Sequence, residues 1–189
     1  MTDAISFLSQ DPVLKQIIEN NEPIELTPHP DPFERLIISV INQQLSIASA
    51  AAIRKRLFDG FKITPSGILS ANKKDLKSTG LSAQKVGYIT NIALAFQNGL
   101  SITDLNSMSD IQIIQTLTKI KGIGVWTAKM FLIFVLARED VFPIEDLGVR
   151  RSMQMLYPSL DTTDKMVLKA DDWSPYRSYA ARYLWVAID

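Results

Sequence analysis

Apolar side chains return every three or four residues through almost the whole chain, and no segment alternates apolar with polar residues over the length of a strand. That periodicity restricts the chain to helices packed on helices. After Asp31, an N-cap followed by Pro32 at the first helical position, Phe33, Leu36, Ile37, Val40 and Ile41 mark one buried stripe. Asn42-Gln43-Gln44 interrupts it, Ser46 caps again, and Ile47, Ala50, Ala51, Arg54 and Leu57 outline a second helix with a basic far side that ends at Gly60. A third helix is predicted from Ser82, with Val86, Ile89, Ala93 and Phe96 inward and Gly99 as its stop. A fourth begins near Asp110, its stripe read as Ile111, Ile114, Leu117 and Ile120. Lys121-Gly122-Ile123-Gly124 separates it from a fifth carrying Val125, Ala128, Leu132, Val135 and Leu136. Residues 138–146 read as an acidic loop containing Pro143, followed by a helix over 147–157. The break at Asp171-Asp172-Trp173-Ser174-Pro175-Tyr176 precedes a final helix through Ala180, Tyr183 and Leu184. The expected fold is all-α.

Composition narrows the chemistry. The 189 residues suffice for one domain, or two lobes sharing a core, and 47% hydrophobic with 21% charged residues fits a folded globular protein. With no cysteine, thiolate metal sites, disulfides and cysteine nucleophiles are excluded; with His29 the single histidine, histidine relays and most metal sites go too, so neither metal nor cofactor is expected. The start Met1-Thr2-Asp3-Ala4 lacks the pattern of a secretory signal, and no apolar run reaches membrane-spanning length, so the expectation is an intracellular protein without a membrane partner. Charge is unevenly distributed despite a net charge of zero. Residues 1–34 hold seven acids against one lysine, whereas residues 54–88 hold eight bases (Arg54, Lys55, Arg56, Lys62, Lys73, Lys74, Lys77, Lys85) against two acids. Such a block can attract a polyanion, because distant charges are screened, although it also fits ordinary solvated helix faces.

Three features can carry chemistry. Gly122-Ile123-Gly124 lets the chain reverse tightly between two helices, and the N–H groups at the start of the second suit a phosphate; the same turn also serves plain helix-hairpin packing. Asp146, just before Leu147-Gly148-Val149, is readable as an N-cap contributing ~1 kcal/mol, or as a carboxylate held to stabilise a developing cation. Trp126, Trp173 and Trp185 are either core residues or aromatic faces for a base, which hold a positively charged one more strongly. Glu139-Asp140 and Asp171-Asp172 have no partners at metal spacing and read as solvent-facing or capping, and His29 is assigned no role.

Together these pieces resemble one family. Leu117 to Lys129, reading LTKIKGIGVWTAK, and Asp140 to Arg151, reading DVFPIEDLGVRR, are similar to the helix-hairpin-helix and catalytic-aspartate segment of the base-excision DNA glycosylases, specifically the 3-methyladenine DNA glycosylase II branch. Ile41-Asn-Gln-Gln-Leu-Ser46, Gly80-Leu-Ser-Ala-Gln-Lys85, and Trp173-Ser-Pro-Tyr-Arg-Ser178 leading to Tyr183-Leu-Trp185 agree with it, so the likeness spans about residues 33–185. It implies one glycosylase domain over 1–189, a minimal form without the extra N-terminal domain of larger members. Two helical lobes would flank a cleft, lobe one about 43–138 with the hairpin at 117–129, and lobe two about 1–42 plus 139–189.

The resemblance also implies roles. Asp146 would be the essential carboxylate; Gly122, Ile123 and Gly124 would offer amides to a phosphate, with Lys121, Thr127 and Gln43 as further DNA contacts. Gln44 would fill the gap left by an extruded nucleotide, and Trp126, Met130 and Trp185 would wall the base pocket. Trp126 stands where lyase-competent relatives keep a Schiff-base lysine, so the chain would cut only the glycosidic bond of alkylated purines in double-stranded DNA. It would act as a monomer, in prokaryotic cytoplasm or a eukaryotic nucleus. Two other readings stand beside this one: a non-catalytic DNA-binding module, and a bifunctional oxidised-base glycosylase/lyase.

Overall fold

A computed structural model describes residues 3–188; Met1, Thr2 and Asp189, and with them part of the signal-sequence reading, lie outside the described residues. Thirteen helices and no strand occur among the described residues: α1 Asp3–Leu8, α2 Pro12–Glu19, α3 Pro32–Asn42, α4 Ile47–Gly60, α5 Pro65–Ser70, α6 Lys73–Ser78, α7 Ala83–Gln97, α8 Ile102–Ser107, α9 Asp110–Thr118, α10 Val125–Phe134, α11 Leu147–Leu156, α12 Thr163–Asp171 and α13 Arg177–Val186. None is long and apolar enough to cross a membrane. Most begin where the sequence puts a capping oxygen: Asp31 accepts from Glu34 N, Ser46 from Ser49 N, Ser82 from Lys85 N and Asp146 from Val149 N. The six-residue helices α1, α5, α6 and α8 have too few turns for an apolar stripe to repeat, so periodicity alone did not reveal them; α2 and α12 add two further helices to those expected.

Two compact units divide the chain. One spans His29–Phe131; the other runs through Pro28 and resumes at Leu132, so the division falls inside α10. The lobes expected from the sequence break at 42/43 and 138/139. Residues 29–42 instead join the His29–Phe131 unit, because α3 packs its buried Phe33, Leu36, Ile37, Val40 and Ile41 against α4 and α7. Within that unit α7 is the central helix, in contact with α3, α5 and α6, and Phe96 meets Phe33 edge-on at 5.3 Å. The stripe of α9 differs from expectation. Ile113 and Leu117 are buried while Ile111 is 68% exposed, because the Ser109–Gln112 capping box starts the helix with Ile111 on its outer side. Likewise Val125 is exposed, and Val135 and Leu136 lie past the end of α10.

In the other unit α13 packs on α11 and α2, burying Ala180, Ala181, Tyr183 and Leu184 against Val149, Met153 and Leu14. A polar knot closes this core. Asp11, the cap of α2, accepts from the amides of Val13 and Leu14 and from the Tyr157 hydroxyl at 3.0 Å through Oδ1; through Oδ2 it accepts from Trp173 Nε1 at 3.1 Å and pairs with Lys169 Nζ at 2.9 Å. Burial by itself would raise the carboxyl's pKa, but the bonds from Lys169, Trp173, Leu14 and Tyr157 outweigh it and hold the group below the usual aspartate value.

Because that pKa is depressed on folding, the stability it supplies is fully present above the unfolded-state value of about 4 and is lost as pH falls through the lower folded-state value. Asp11→Asn should therefore destabilise the chain by about 2 kcal/mol at neutral pH, since Lys169 keeps only the exposed Asp172 as an anionic partner and misdirected donors remain. Urea melts should show the gap to the parent closing below about pH 4; a gap unchanged down to pH 2 would mean that packing, not charge, is what Asp11 contributes.

Candidate functional site

The segment leading to Asp146 has little secondary structure of its own and is fixed by the start of α13. Ser178 N donates to Glu139 O at 2.8 Å, Ser178 Oγ donates to Arg138 O at 2.6 Å and accepts from Val141 N at 2.9 Å. Arg177 grips Asp140 with two donors, Nε to Oδ1 at 2.7 Å and Nη2 to Oδ2 at 2.9 Å, and Ser174 Oγ adds a third bond to that carboxylate. Burial opposes ionisation of Asp140, yet Arg177 and Ser174 keep its pKa low. The acidic pairs that the sequence left as solvent-facing or capping are thus largely engaged: Asp140 and Asp171 bind Arg177, and Asp172 pairs with Lys169. The Trp173–Ser178 stretch serves as the fastening of the 138–146 loop.

At the end of this loop Asp146 caps α11, as its position suggested, and it does more. Its Oδ1 accepts from Val149 N at 2.9 Å and from the Trp185 indole N–H at 2.8 Å. Two donors on one oxygen, from the first turn of α11 and from α13, fix the plane of the carboxylate. Trp185 is itself held, stacked on Phe134 at 5.7 Å with the Arg182 guanidinium 5.7 Å from the same Phe134 ring. Gly148 makes the approach feasible: a Cβ there would lie 3.0 Å from Asp146 Oδ1 and 3.1 Å from Trp185 Cδ1. Trp185, expected from the resemblance as a pocket wall, is in the structure a donor that orients the carboxylate.

The hairpin lies in the His29–Phe131 unit. Gly122 adopts φ 112°, and a Cβ on it would stand 2.4 Å from Cγ of Tyr88, so only glycine fits between α9 and α10 over that ring. Ile123 is buried beneath the turn. Both turn carbonyls are held by side-chain amides, Lys121 O by Asn91 Nδ2 and Gly122 O by Gln43 Nε2, each at 3.1 Å. The first helical bond of α10 runs from Ala128 N to Gly124 O, making Gly124 the cap; it is exposed, with open space where a Cβ would be. Ile123 N, expected as one of three amides for a phosphate, donates to Ile120 O at 3.0 Å inside the turn. Thr127 is only 2% exposed, which turns its side chain inward and leaves its backbone as the part suited to an anion.

Of the other residues singled out, Gln44 is exposed at φ 55°, Lys121 is exposed, Trp126 is half-buried and Met130, one helical turn on, is buried. Gln43 turned inward to the hairpin, where the sequence suggested a DNA contact. The structural partners Asn91 and Tyr88 carried no signal in composition or periodicity, and Lys85 and Arg177 showed only as members of the basic block and of the Trp173–Ser178 stretch.

The basic block is reduced by internal bonds. Arg56 donates to Thr79 O, Lys55 pairs with Asp59, and Lys85 turns inward, while Lys73, Lys74 and Lys77 remain exposed on α6.

Comparison with known proteins identifies the family. Residues 37–176 match the model of the HhH-GPD superfamily base excision DNA repair proteins. The chain is 34% identical over 180 residues to DNA-3-methyladenine glycosylase 1 of Schizosaccharomyces pombe, covering 91% of this chain and 79% of that one. Among solved structures, a DNA-3-methyladenine glycosidase from Bacillus halodurans superposes with a TM-score of 0.85 at 34% identity, over 98% of this chain and 89% of that one. The S. pombe 3-methyladenine DNA glycosylase in complex with abasic DNA superposes with a TM-score of 0.86 at 32% identity, over 97% of this chain and 95% of that one. The chain belongs to the HhH-GPD superfamily of base excision DNA repair proteins, within its 3-methyladenine DNA glycosylase branch.

Proposed function

We propose that this protein is a monofunctional DNA glycosylase that rotates alkylated purines out of duplex DNA and hydrolyses their N-glycosidic bond, leaving an abasic site. The observation that carries the reading is the carboxylate of Asp146, oriented by Val149 N and the Trp185 indole beyond what a helix cap alone requires. The names of its relatives, and the abasic DNA held by one of them, support it.

The chemistry follows from the substrate. A purine methylated at N3 or N7 carries positive charge, so it leaves with the glycosidic electron pair and needs no general acid. As the C1′–N bond breaks, positive charge develops on the deoxyribose, and Asp146 stabilises it; water then adds at C1′ and loses a proton. Extrusion costs about a few kcal/mol, less for a damaged pair, and Gln44 occupies the gap. The hairpin amides of Gly122 and Gly124 hold a backbone phosphate, and Lys121 adds charge beside it. Trp126 and Trp185 favour an electron-poor base through their ring faces, with Met130 as an apolar contact. Trp126 has no amine for a Schiff base, which argues against a lyase. The protein works as a monomer wherever the genome lies, the cytoplasm of a prokaryote or the nucleus of a eukaryote.

A duplex with one 7-methylguanine should yield the free base and an alkali-labile site on an intact strand, with no adduct on borohydride treatment. A trapped adduct would reveal a lysine nucleophile and favour the bifunctional reading; binding without release from any alkylpurine duplex would leave a DNA-binding module.

The exposed lysines of α6 provide a second test. Replacing Lys73, Lys74 and Lys77 with glutamine should flatten the dependence of log Kd on log salt by about one unit for each phosphate no longer neutralised. An unaltered slope puts the DNA on another face.

A further inference from the structure

The Gly80–Lys85 block belongs to the family pattern, yet neither the carboxylate nor the hairpin uses its lysine directly. Lys85 points inward from the first turn of α7. Its Nζ donates to Ile41 O at 2.8 Å and to Gln43 O at 2.6 Å, the carbonyls at the end of α3. A helix C-terminus leaves its last carbonyls without intrahelical donors and carries the negative end of the dipole, so an ammonium with three donors on a long stem suits the position. Burial pushes the Lys85 pKa down, so holding an ammonium at this place carries a cost. The next residue, Gln44, has φ 55°, a left-handed conformation that a non-glycine residue keeps only where its neighbours hold it. On the other side of the loop, Gln43 Nε2 reaches Gly122 O. A continuous chain of bonds therefore runs from α7 through the 43–46 loop to the hairpin turn.

We propose that Lys85 is a positioning residue for base extrusion: by pinning the carbonyls of Ile41 and Gln43 it holds Gln44 outward and ties the wedge loop to the phosphate-binding hairpin. The inference rests on the glycosylase reading. A wedge that yields when pressed into the stack cannot keep the gap open, whereas the grip on an already vacant site needs no such stiffness. Loss of the clamp should therefore affect extrusion and leave binding to a baseless site nearly unchanged.

The test uses the full chain and a duplex holding 7-methylguanine beside 2-aminopurine, whose fluorescence rises on unstacking. In Lys85→Met the rise should be lost and single-turnover base release should fall on the order of tenfold or more, the scale of a misplaced group. Binding to an abasic-site duplex should stay within about threefold of the parent, far less than the loss in rate. Hydrogen exchange over residues 41–46 should quicken, and Lys85→Arg, which keeps charge and donors, should restore most of the rate. If Lys85→Met does not fold, Lys85→Gln serves instead, its shorter stem being unable to reach both carbonyls. Parent-like fluorescence and rate in the variant overturn the inference, as does an equal loss of abasic-site binding, which would mark a merely structural role. A parent that releases no base contradicts the glycosylase reading itself and removes this inference with it; an active parent with an indifferent variant contradicts the clamp alone.

Discussion

The bond between the Trp185 indole and Asp146 converts a common helix cap into a candidate reactive group. A capping aspartate satisfied by one backbone amide can swing; one whose oxygen also receives an indole N–H keeps its plane. Electrostatic stabilisation depends on such fixity, because a carboxylate that need not reorganise as charge develops acts at full strength from the outset. Much of the surrounding unit maintains this single bond. Phe134 and Arg182 hold the indole, Gly148 leaves room for it, and Ser178 with Arg177 fastens the loop that delivers Asp146.

The hairpin obeys a different constraint. To hold a phosphate, as proposed, its turn would need a bare backbone on one side and a rigid one on the other, and both conditions meet at Gly122. There a side chain is forbidden by Tyr88 below, and the carbonyl is held by Gln43. The amides on such a turn owe their direction to side-chain bonds on the far face, and Lys85 extends the same network to the loop bearing Gln44. On the proposed function, strand binding and base extrusion would rest on this one bonded network of α7, the 43–46 loop and the turn.

Much of this was legible in the sequence, for physical reasons. Helices with full apolar stripes and side-chain caps, α3, α4 and α7 above all, announce themselves by period and by Asp or Ser at their starts. The two glycines of the turn and the aspartate after Pro143 were equally visible, since few residue types satisfy those backbone positions. What stayed hidden depends on distant contacts. That Ile111 faces out and Ile113 in follows from where the Ser109 cap sets the start of α9; that the Ile123 amide is taken follows from the turn closing on Ile120. The role of Trp185 as donor to a residue thirty-nine positions away, and of Lys85 as a clamp rather than a surface charge, could be read only from tertiary structure.

The central claim, that the Asp146 charge acts on the departing base's sugar, is most directly tested by single-turnover release of 7-methylguanine by Asp146→Asn, measured alongside its affinity for an abasic-site duplex. The amide keeps the size and most of the cap but not the charge. Affinity should stay close to that of the parent and the rate should fall by about a hundredfold or more, as when other preorganised electrostatic groups are removed. A variant that releases the base at the parental rate would contradict the claim.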